Sequence, residues 1–345
     1  MKVGVVYSPV YLEHDTGQHP ESAGRLQAII SHIKGDGTWQ KLVPIEPRPA
    51  TTGELSLVHE ERHIGHIREV AEKGGGWLDS DTVMSPGSYT AALYAAGGVI
   101  RATEAVMAGE VGSAFALVRP PGHHATPGQA MGFCLFNNVA VAAKYALNNY
   151  GLGRLLIIDF DVHHGNGTQA AFYDDPRVLY VSTHQSFLYP GTGGIDEAGG
   201  GAARGTTVNI PLPAGCGDGE YQEVFGQVIV PVVGRFKPQL ILVSAGYDAH
   251  WADELAMMRL SITGFAQIVR VIKQMADELC YERLIFSLEG GYNLTALSAS
   301  VKATLDVLLG STDDIEDPLG RPPRQAGAPD IAPVIERLKA IHGLA

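Results

Sequence analysis

Leu155-Leu156-Ile157-Ile158-Asp159-Phe160-Asp161-Val162-His163-His164 carries an apolar run straight into carboxylates and imidazoles, with no turn residue between them. A short continuous apolar segment of this kind reads as a strand buried on both faces, as in a parallel sheet. In an extended chain Asp159, Asp161 and His163 project to one side, and Phe160, Val162 and His164 to the other. Asp161 and His163 are therefore expected to grip one ion. Leu240-Ile241-Leu242-Val243-Ser244-Ala245-Gly246-Tyr247-Asp248 repeats the plan and offers Asp248 as a third ligand. Two carboxylates and a neutral imidazole balance a divalent cation and leave a position open for water or substrate, the arrangement expected of a catalytic zinc. A lone Asp-x-His at a strand end is ordinarily a hydrogen-bonded loop pair; two such strand ends in one chain favour a metal.

Working outward, apolar runs near 2–7, 114–118, 154–159, 178–183, 206–210, 239–245 and 283–288 alternate with segments of helical period. Residues 22–34 and 262–280 are the clearest of these, the second through Phe265, Ile268, Val269, Ile272, Met275 and Leu279. The alternation predicts an α/β fold, a mostly parallel central sheet flanked by helices. No internal repeat or composition break divides the chain, so residues 1–345 are expected to form one catalytic domain. Its linker-like part is the Pro/Gly-rich segment 317–333, before a short closing helix near 333–342.

Ligands of open parallel sheets bind beyond the carboxyl ends of the strands. Two more segments deliver chemistry there: Arg119-Pro120-Pro121-Gly122-His123-His124 and Glu289-Gly290-Gly291-Tyr292. Beside a metal, His123 and His124 read as proton-transfer groups, because imidazole titrates near working pH. Each needs a partner on its far nitrogen, and Asp159 and Asn166 are available. Tyr292 follows two glycines that let the backbone approach a ligand, and its phenol is a natural donor to an oxyanion. Tyr247, in a buried turn, reads instead as a packed tyrosine.

The net charge of −12 argues against direct nucleic-acid binding, which needs a basic surface, and mildly favours a cationic substrate. Cys134, Cys216 and Cys280 are sparse, odd in number and without a Cys-x-x-Cys, the pattern of reduced thiols. Met1-Lys2-Val3-Gly4-Val5-Val6-Tyr7 is too short for a signal segment, and no apolar run approaches the ~20 residues that span a bilayer. A cytoplasmic location without membrane association is the expectation; the oligomeric state is left open.

Together, Arg119 to His124, Asp159 to Thr168, Ser244 to Asp248 and Glu289 to Asn293 resemble the zinc-dependent histone deacetylase family and its acetylpolyamine amidohydrolase relatives. The resemblance runs from His19-Pro20-Glu21 to about Leu309, in the family's order. It implies the arginase-deacetylase fold, zinc on Asp161, His163 and Asp248, tandem histidines at His123 and His124 partnered by Asp159 and Asn166, and a transition-state tyrosine at Tyr292. Asn166 resembles class II members, class I having Asp there. It further implies a structural potassium near Asp159, Asp161, His163, Ser182 and Thr183, partly through backbone carbonyls. Gly132, Phe133 and Tyr189 match the walls of a channel for an acyl-lysine stem, Asp81 the rim acid that grips substrate amides, and Arg25 a residue behind the site.

The implied activity is hydrolysis of acyl-lysine amides. Polyamine-selective relatives read their substrate's ammonium groups with acids at the channel mouth, where Leu255 stands here, beside Glu254; that favours acyl-lysine over an acetylpolyamine. Arginase-type ureohydrolases bridge two manganese ions with further carboxylates, absent from Val162-His163-His164 and Ala249-His250, so one ion per chain is expected. Retention of three ligands, both histidines and Tyr292 argues against a non-catalytic metal-binding module.

Overall fold

The computed structural model describes residues 2–311, 315–324 and 327–345. Among the described residues ten strands occur in chain order: β1 (Val3–Val6), β2 (Val43–Ile45), β3 (Gly76–Trp77), β4 (Val83–Met84), β5 (Ser113–Ala116), β6 (Leu155–Asp159), β7 (Val178–Gln185), β8 (Thr207–Leu212), β9 (Ile241–Ala245) and β10 (Leu284–Leu288). Eight of them form one sheet in the order β2-β1-β5-β10-β9-β6-β7-β8, every neighbouring pair parallel. All seven expected strands are present. The sequence reading missed β2, whose three residues include Pro44 at the sheet edge, where a missing N–H is tolerated. It also missed the two-residue strands β3 and β4, an antiparallel pair outside the main sheet.

Every residue of β1, β5, β6, β7, β9 and β10 is buried, which explains why these strands read as unbroken apolar runs. Helices supply the cover. The helix Ile262–Leu279 is capped by Ser261, which accepts from Gly264 N, and buries Phe265, Ile268, Val269, Ile272 and Met275. It packs on the helix Leu294–Leu308, which in turn packs on the helix Ala23–Gly35. The helices Ser88–Met107 and Asn138–Asn149 pack together as a second group. Their alanine- and glycine-rich faces allow close approach to the sheet.

The site is positioned by strand order. β5, β10, β9 and β6 are consecutive neighbours at the centre of the sheet, and their carboxyl ends are level: Ala116 pairs with Ser287, Leu288 with Ala245, and Ser244 with Asp159. Segments 45 to 170 residues apart in sequence, in round terms, thereby open onto one rim. The closing helix spans Ala332–His342. The segment before it is not a free linker at its start: Asp317 accepts from His250 Nε2 at 2.8 Å and from Trp251 Nε1 at 3.3 Å. Residues 325 and 326 of that segment lie outside the described residues.

Candidate metal centre and acid–base site

β6 ends at Asp159, one residue before the alternation expected of an extended chain would carry on. From there the backbone bends: Asp159 Oδ1 accepts from Asp161 N at 3.2 Å, and Asp161 Oδ1 accepts from His163 N at 2.9 Å. The carboxylates' own hydrogen bonds thus make the turn, and they separate Asp159 from Asp161 and His163. His163 Nδ1 lies 3.1 Å from Asp161 Oδ1 and 3.2 Å from Asp248 Oδ2. Ligand atoms of Asp161, His163 and Asp248 all lie within 4.8 Å of one another. Asp161 Oδ2 is held by Gly290 N at 2.8 Å and Asp248 Oδ1 by Val162 N at 2.9 Å. Asp248 Oδ2 is buried without a hydrogen-bond partner. Two fixed carboxylates, one orphaned oxygen and one imidazole nitrogen aimed between them fit a divalent zinc-type ion.

Protonation follows from the crowding. Burial works against both carboxylates, but the charges of His123 and His163 hold Asp161 well below the ordinary carboxylate range. Burial and the charge of Asp161 push Asp248 up to about 6. Against burial, Asp161 and Asp248 raise His163 to about 10; a metal would take the place of that proton. The second group of convergent ligand types, His123, Cys134 and Glu289, is already engaged, His123 through Nδ1 on Asp159. Glu289 accepts from Gly122 N at 2.6 Å and His123 N at 3.2 Å, and Cys134 Sγ donates to Gly132 O at 3.3 Å.

The tandem histidines stand side by side, ring centroids 4.0 Å apart, with different partners. His123 Nδ1 is 3.0 Å from Asp159 Oδ2, and His124 Nδ1 is 2.8 Å from Asn166 Oδ1. Burial opposes charge on both. At His123 the carboxylates of Asp161 and Asp159 outweigh it and raise the ring to about 10; at His124 the neighbouring His123 and His163 add to it and hold the ring well below its ordinary value. One imidazole is therefore a fixed cation, and the other is neutral, with Nδ1–H on Asn166 and Nε2 free to take a proton. Tyr292 is half-buried near the carboxylates, and burial, opposed in part by Arg25, raises its phenol well above 10, so it remains a donor.

Gly132 shows how tightly the channel is built. A Cβ there would stand 2.4 Å from His124 Cδ2 and 2.8 Å from Tyr189 Cε1, and its φ of 55° favours glycine. Tyr189 meets His124 edge-on at 5.1 Å, and Phe133 meets Tyr292 edge-on at 5.8 Å. His19 packs on Phe133 at 4.5 Å and bonds the carbonyl of Asp81 at 3.1 Å, so the rim loop and the wall share one support. Leu255 is half-buried and Glu254 exposed. Ser182 lies in register with Asp159 on β7, and its hydroxyl pairs with His184 Nδ1 at 2.9 Å; Thr183 Oγ1, on the alternate face, is buried without a partner. Tyr247 sits in the core between Phe160 and Phe265, its hydroxyl on Thr304 at 2.8 Å.

Three supporting groups escaped the sequence reading. Glu289, pushed up to about 7 by burial, holds the turn under His123. Asp253 accepts from Tyr292 N and Asn293 N; its only signal was its spacing, five residues after Asp248. Glu21 is fully buried between Arg119 and Arg25, and Arg25 Nε donates to Gly291 O at 2.7 Å. Arg25 thus braces the Tyr292 turn from behind.

With this geometry in hand, similarity to known proteins is informative. The sequence profile described as "Histone deacetylase domain" matches residues 19–308. A probable deacetylase of Archaeoglobus fulgidus is 44% identical over 297 residues, covering 85% of this chain and 82% of that protein. Histone deacetylase 14, chloroplastic, of Arabidopsis thaliana is 39% identical over 355 residues (96% and 83%), and the histone deacetylase-like amidohydrolase of Pseudomonas aeruginosa 37% over 317 (92% and 82%). The solved structure entitled "Crystal Structure of HDA15 HD domain" superposes with a TM-score of 0.88 at 34% identity, covering 99% of this chain and 94% of that one. The parallel sheet thus has its counterpart in a solved structure at 34% identity, and the chain belongs to the histone deacetylase family.

Proposed function

We propose that this deacetylase-family hydrolase removes acetyl or other short acyl groups from acyl-lysine side chains, with one zinc ion on Asp161, His163 and Asp248. The carrying observation is the division of labour at the rim: an orphaned carboxylate oxygen facing His163, a cationic His123, and a neutral His124 with its Nε2 unengaged. A zinc ion held there supplies Lewis-acid polarisation of an amide carbonyl and acidification of a water. His124 Nε2 takes the proton of the attacking water, while its Nδ1–H stays on Asn166. The same nitrogen then returns the proton to the departing amine, so that the C–N bond breaks to give free amine and a carboxylic acid, which ionises in water. His123, charge-balanced by Asp159, places fixed positive field beside the reacting carbon. Tyr292 donates a hydrogen bond from its phenol to the oxygen of the tetrahedral carbon.

For the substrate, Phe133 and Tyr189 flank His124 and Tyr292 with rings, which suits an unbranched apolar stem. Leu255 at the mouth offers no charge to an ammonium group. Asp81 is assigned to substrate backbone amides, and a structural potassium to Asp159, Asp161, His163, Ser182 and Thr183, partly through backbone carbonyls, as parts of the same proposal; one catalytic domain over residues 1–345 completes it. Among the described residues no helix is long and apolar enough to cross a membrane. Two relatives are named chloroplastic, so family membership does not fix a compartment; a cytoplasmic site of action is our proposal. The test is kcat/KM for an acetyl-lysine peptide against acetylspermidine on zinc-loaded protein, with and without a hydroxamate. A higher value for the peptide, abolished by the hydroxamate, is expected. Preference for acetylspermidine would overturn the substrate reading, and inertness toward both would overturn the activity.

A further inference from the structure

The turn that presents Tyr292 has little to fix it from within. Gly290 and Gly291 precede it, the latter at φ 114°, and Asn293 follows as the cap of the helix Leu294–Leu308. Two consecutive glycines leave the backbone free to rotate, and a phenol that must meet a developing oxyanion tolerates little rotation. The restraint comes from elsewhere in the chain. Oδ2 of Asp253 accepts from both Tyr292 N, at 2.6 Å, and Asn293 N, at 3.0 Å. Its other oxygen accepts from Leu255 N at 3.1 Å. Asn293 Nδ2 adds a bond to Ala252 O at 3.0 Å, so the two segments are laced together at three points.

Asp253 is only 6% exposed. A buried carboxylate is expensive unless hydrogen bonds satisfy it, and here three backbone N–H groups do so. That is an unusual outlay for a mere loop closure, and its placement is specific. The backbone that delivers Asp248 to the metal runs five residues on to deliver Asp253 to the tyrosine turn, and two further to Leu255.

We propose that Asp253 is a positioning residue: its carboxylate sets the phenol of Tyr292 over the reacting carbonyl and anchors the mouth residue Leu255 to the same point. The inference rests on the reading that Tyr292 is the oxyanion donor. Asp253→Asn is isosteric but turns an N–H donor against an N–H donor, whichever way the amide is oriented.

The experiment compares zinc-loaded wild type, Asp253→Asn, Tyr292→Phe and the double variant on an acetyl-lysine peptide, together with hydrogen exchange of the 290–293 backbone. Tyr292→Phe is expected to lower kcat by about 10²–10³-fold, and Asp253→Asn by on the order of 10²-fold, with zinc content unchanged. The double variant should fall within about twofold of Tyr292→Phe alone, because a turn that carries no phenol has nothing to misplace. Faster exchange at Tyr292 and Asn293 in Asp253→Asn is the activity-independent signature. Losses that multiply in the double variant, or an Asp253→Asn chain with wild-type kcat, would overturn the positioning role. A silent Tyr292→Phe would instead overturn the reading beneath it, and this inference with it. If Asp253→Asn unfolds, Asp253→Ser takes its place under the same criteria.

Discussion

Gly290 is where the centre's packing can be tested most directly. It is pressed against both metal-site carboxylates: a methyl carbon there would stand 2.1 Å from Asp248 Oδ2 and 2.6 Å from Asp161 Oδ2. Its φ is not positive, so Gly290→Ala introduces bulk without backbone strain. Non-bonded carbon and oxygen need roughly 3.5 Å, so the two carboxylates must withdraw by roughly 1 Å. Ligand distances at a metal hold to about 0.2 Å, and two of the three ligands therefore leave range together. Changes behind the ligands alone cost about 10–100-fold in affinity; displacing two ligands should cost at least the upper end, about 100-fold. Zinc affinity is read by competition with a fluorescent chelator, and the metal-free protein is melted in parallel, with overpacking expected to cost about 1–3 kcal/mol. Gly234→Ala is the control, exposed in the helix Val230–Phe236 with nothing within 4 Å of the new methyl; it should stabilise by up to about 1 kcal/mol. A Gly290→Ala protein that binds zinc and turns over substrate like the wild type would refute the placement of these carboxylates.

Three further outcomes concern His59, Glu21 and Leu255. His59 accepts from Asn137 N at 2.8 Å through Nε2, so Nδ1 carries the proton and donates to Thr126 O at 3.0 Å; a second proton would face an N–H. Burial, with His63 beside it, lowers its pKa to about 3. The unfolded chain therefore binds the extra proton between pH 6.5 and about 3, and this contribution to stability is complete above pH 6.5 and lost on acidification through that window, by about 1.4 kcal/mol per pH unit. Urea titrations from pH 7 to 4 should show a shallower slope in His59→Gln, and an identical slope would remove His59 from the acid limb. Glu21→Gln leaves the buried guanidinium of Arg119, 2.7 Å away through Nη2, and that of Arg25, 3.2 Å away, without their carboxylate; a loss of about 3–5 kcal/mol is expected on denaturation, and a loss below about 1 kcal/mol, the worth of an exposed pair, would show that the cluster is not structural. Leu255→Glu puts a carboxylate where an ammonium-bearing substrate passes, worth about 1–4 kcal/mol at 4 Å; the ratio of kcat/KM for acetylspermidine over acetyl-lysine peptide should rise about tenfold or more, and an unchanged ratio would take residue 255 away from the mouth.

What could be read from the sequence, and what could not, has a physical division. β5, β6, β9 and β10 were legible because both faces of each are buried, so no polar residue interrupts the apolar run until the rim is reached. β2, β3 and β4 are too short to carry a period, and β2 contains a proline. Asp161, His163 and Asp248 were legible as types at strand ends, but not the bend that joins the first two; strand alternation had placed Asp159 with them, whereas the hydrogen bond from Asp161 N turns the chain and leaves Asp159 to His123. Glu289 and Asp253 were illegible in role because their partners are backbone N–H groups, which leave no trace in residue identity. The Glu21–Arg119 pair spans 98 positions and exists only once β5 is in place.

The rim gathers five buried acids, Asp159, Asp161, Asp248, Asp253 and Glu289, and each is kept apart from the others by what it faces. Asp253 and Glu289 are satisfied by backbone N–H groups, and each fixes the turn of a reactive side chain. Asp159 faces His123 and holds it as a cation. Asp161 and Asp248 are left to share His163, and Asp248 Oδ2, 3.2 Å from its Nδ1, makes no hydrogen bond. The two arginines nearest in the fold do not relieve this excess, since Arg119 and Arg25 are committed to Glu21 and to backbone carbonyls. Unrelieved negative charge in a buried site is costly, and the remaining imidazole does not relieve it, because burial and the neighbouring His123 and His163 hold His124 neutral. The acids that call for a divalent ion between Asp161 and Asp248 are matched to His123 and His163, and it is burial together with those two imidazoles that keeps His124 neutral and able to act as a base.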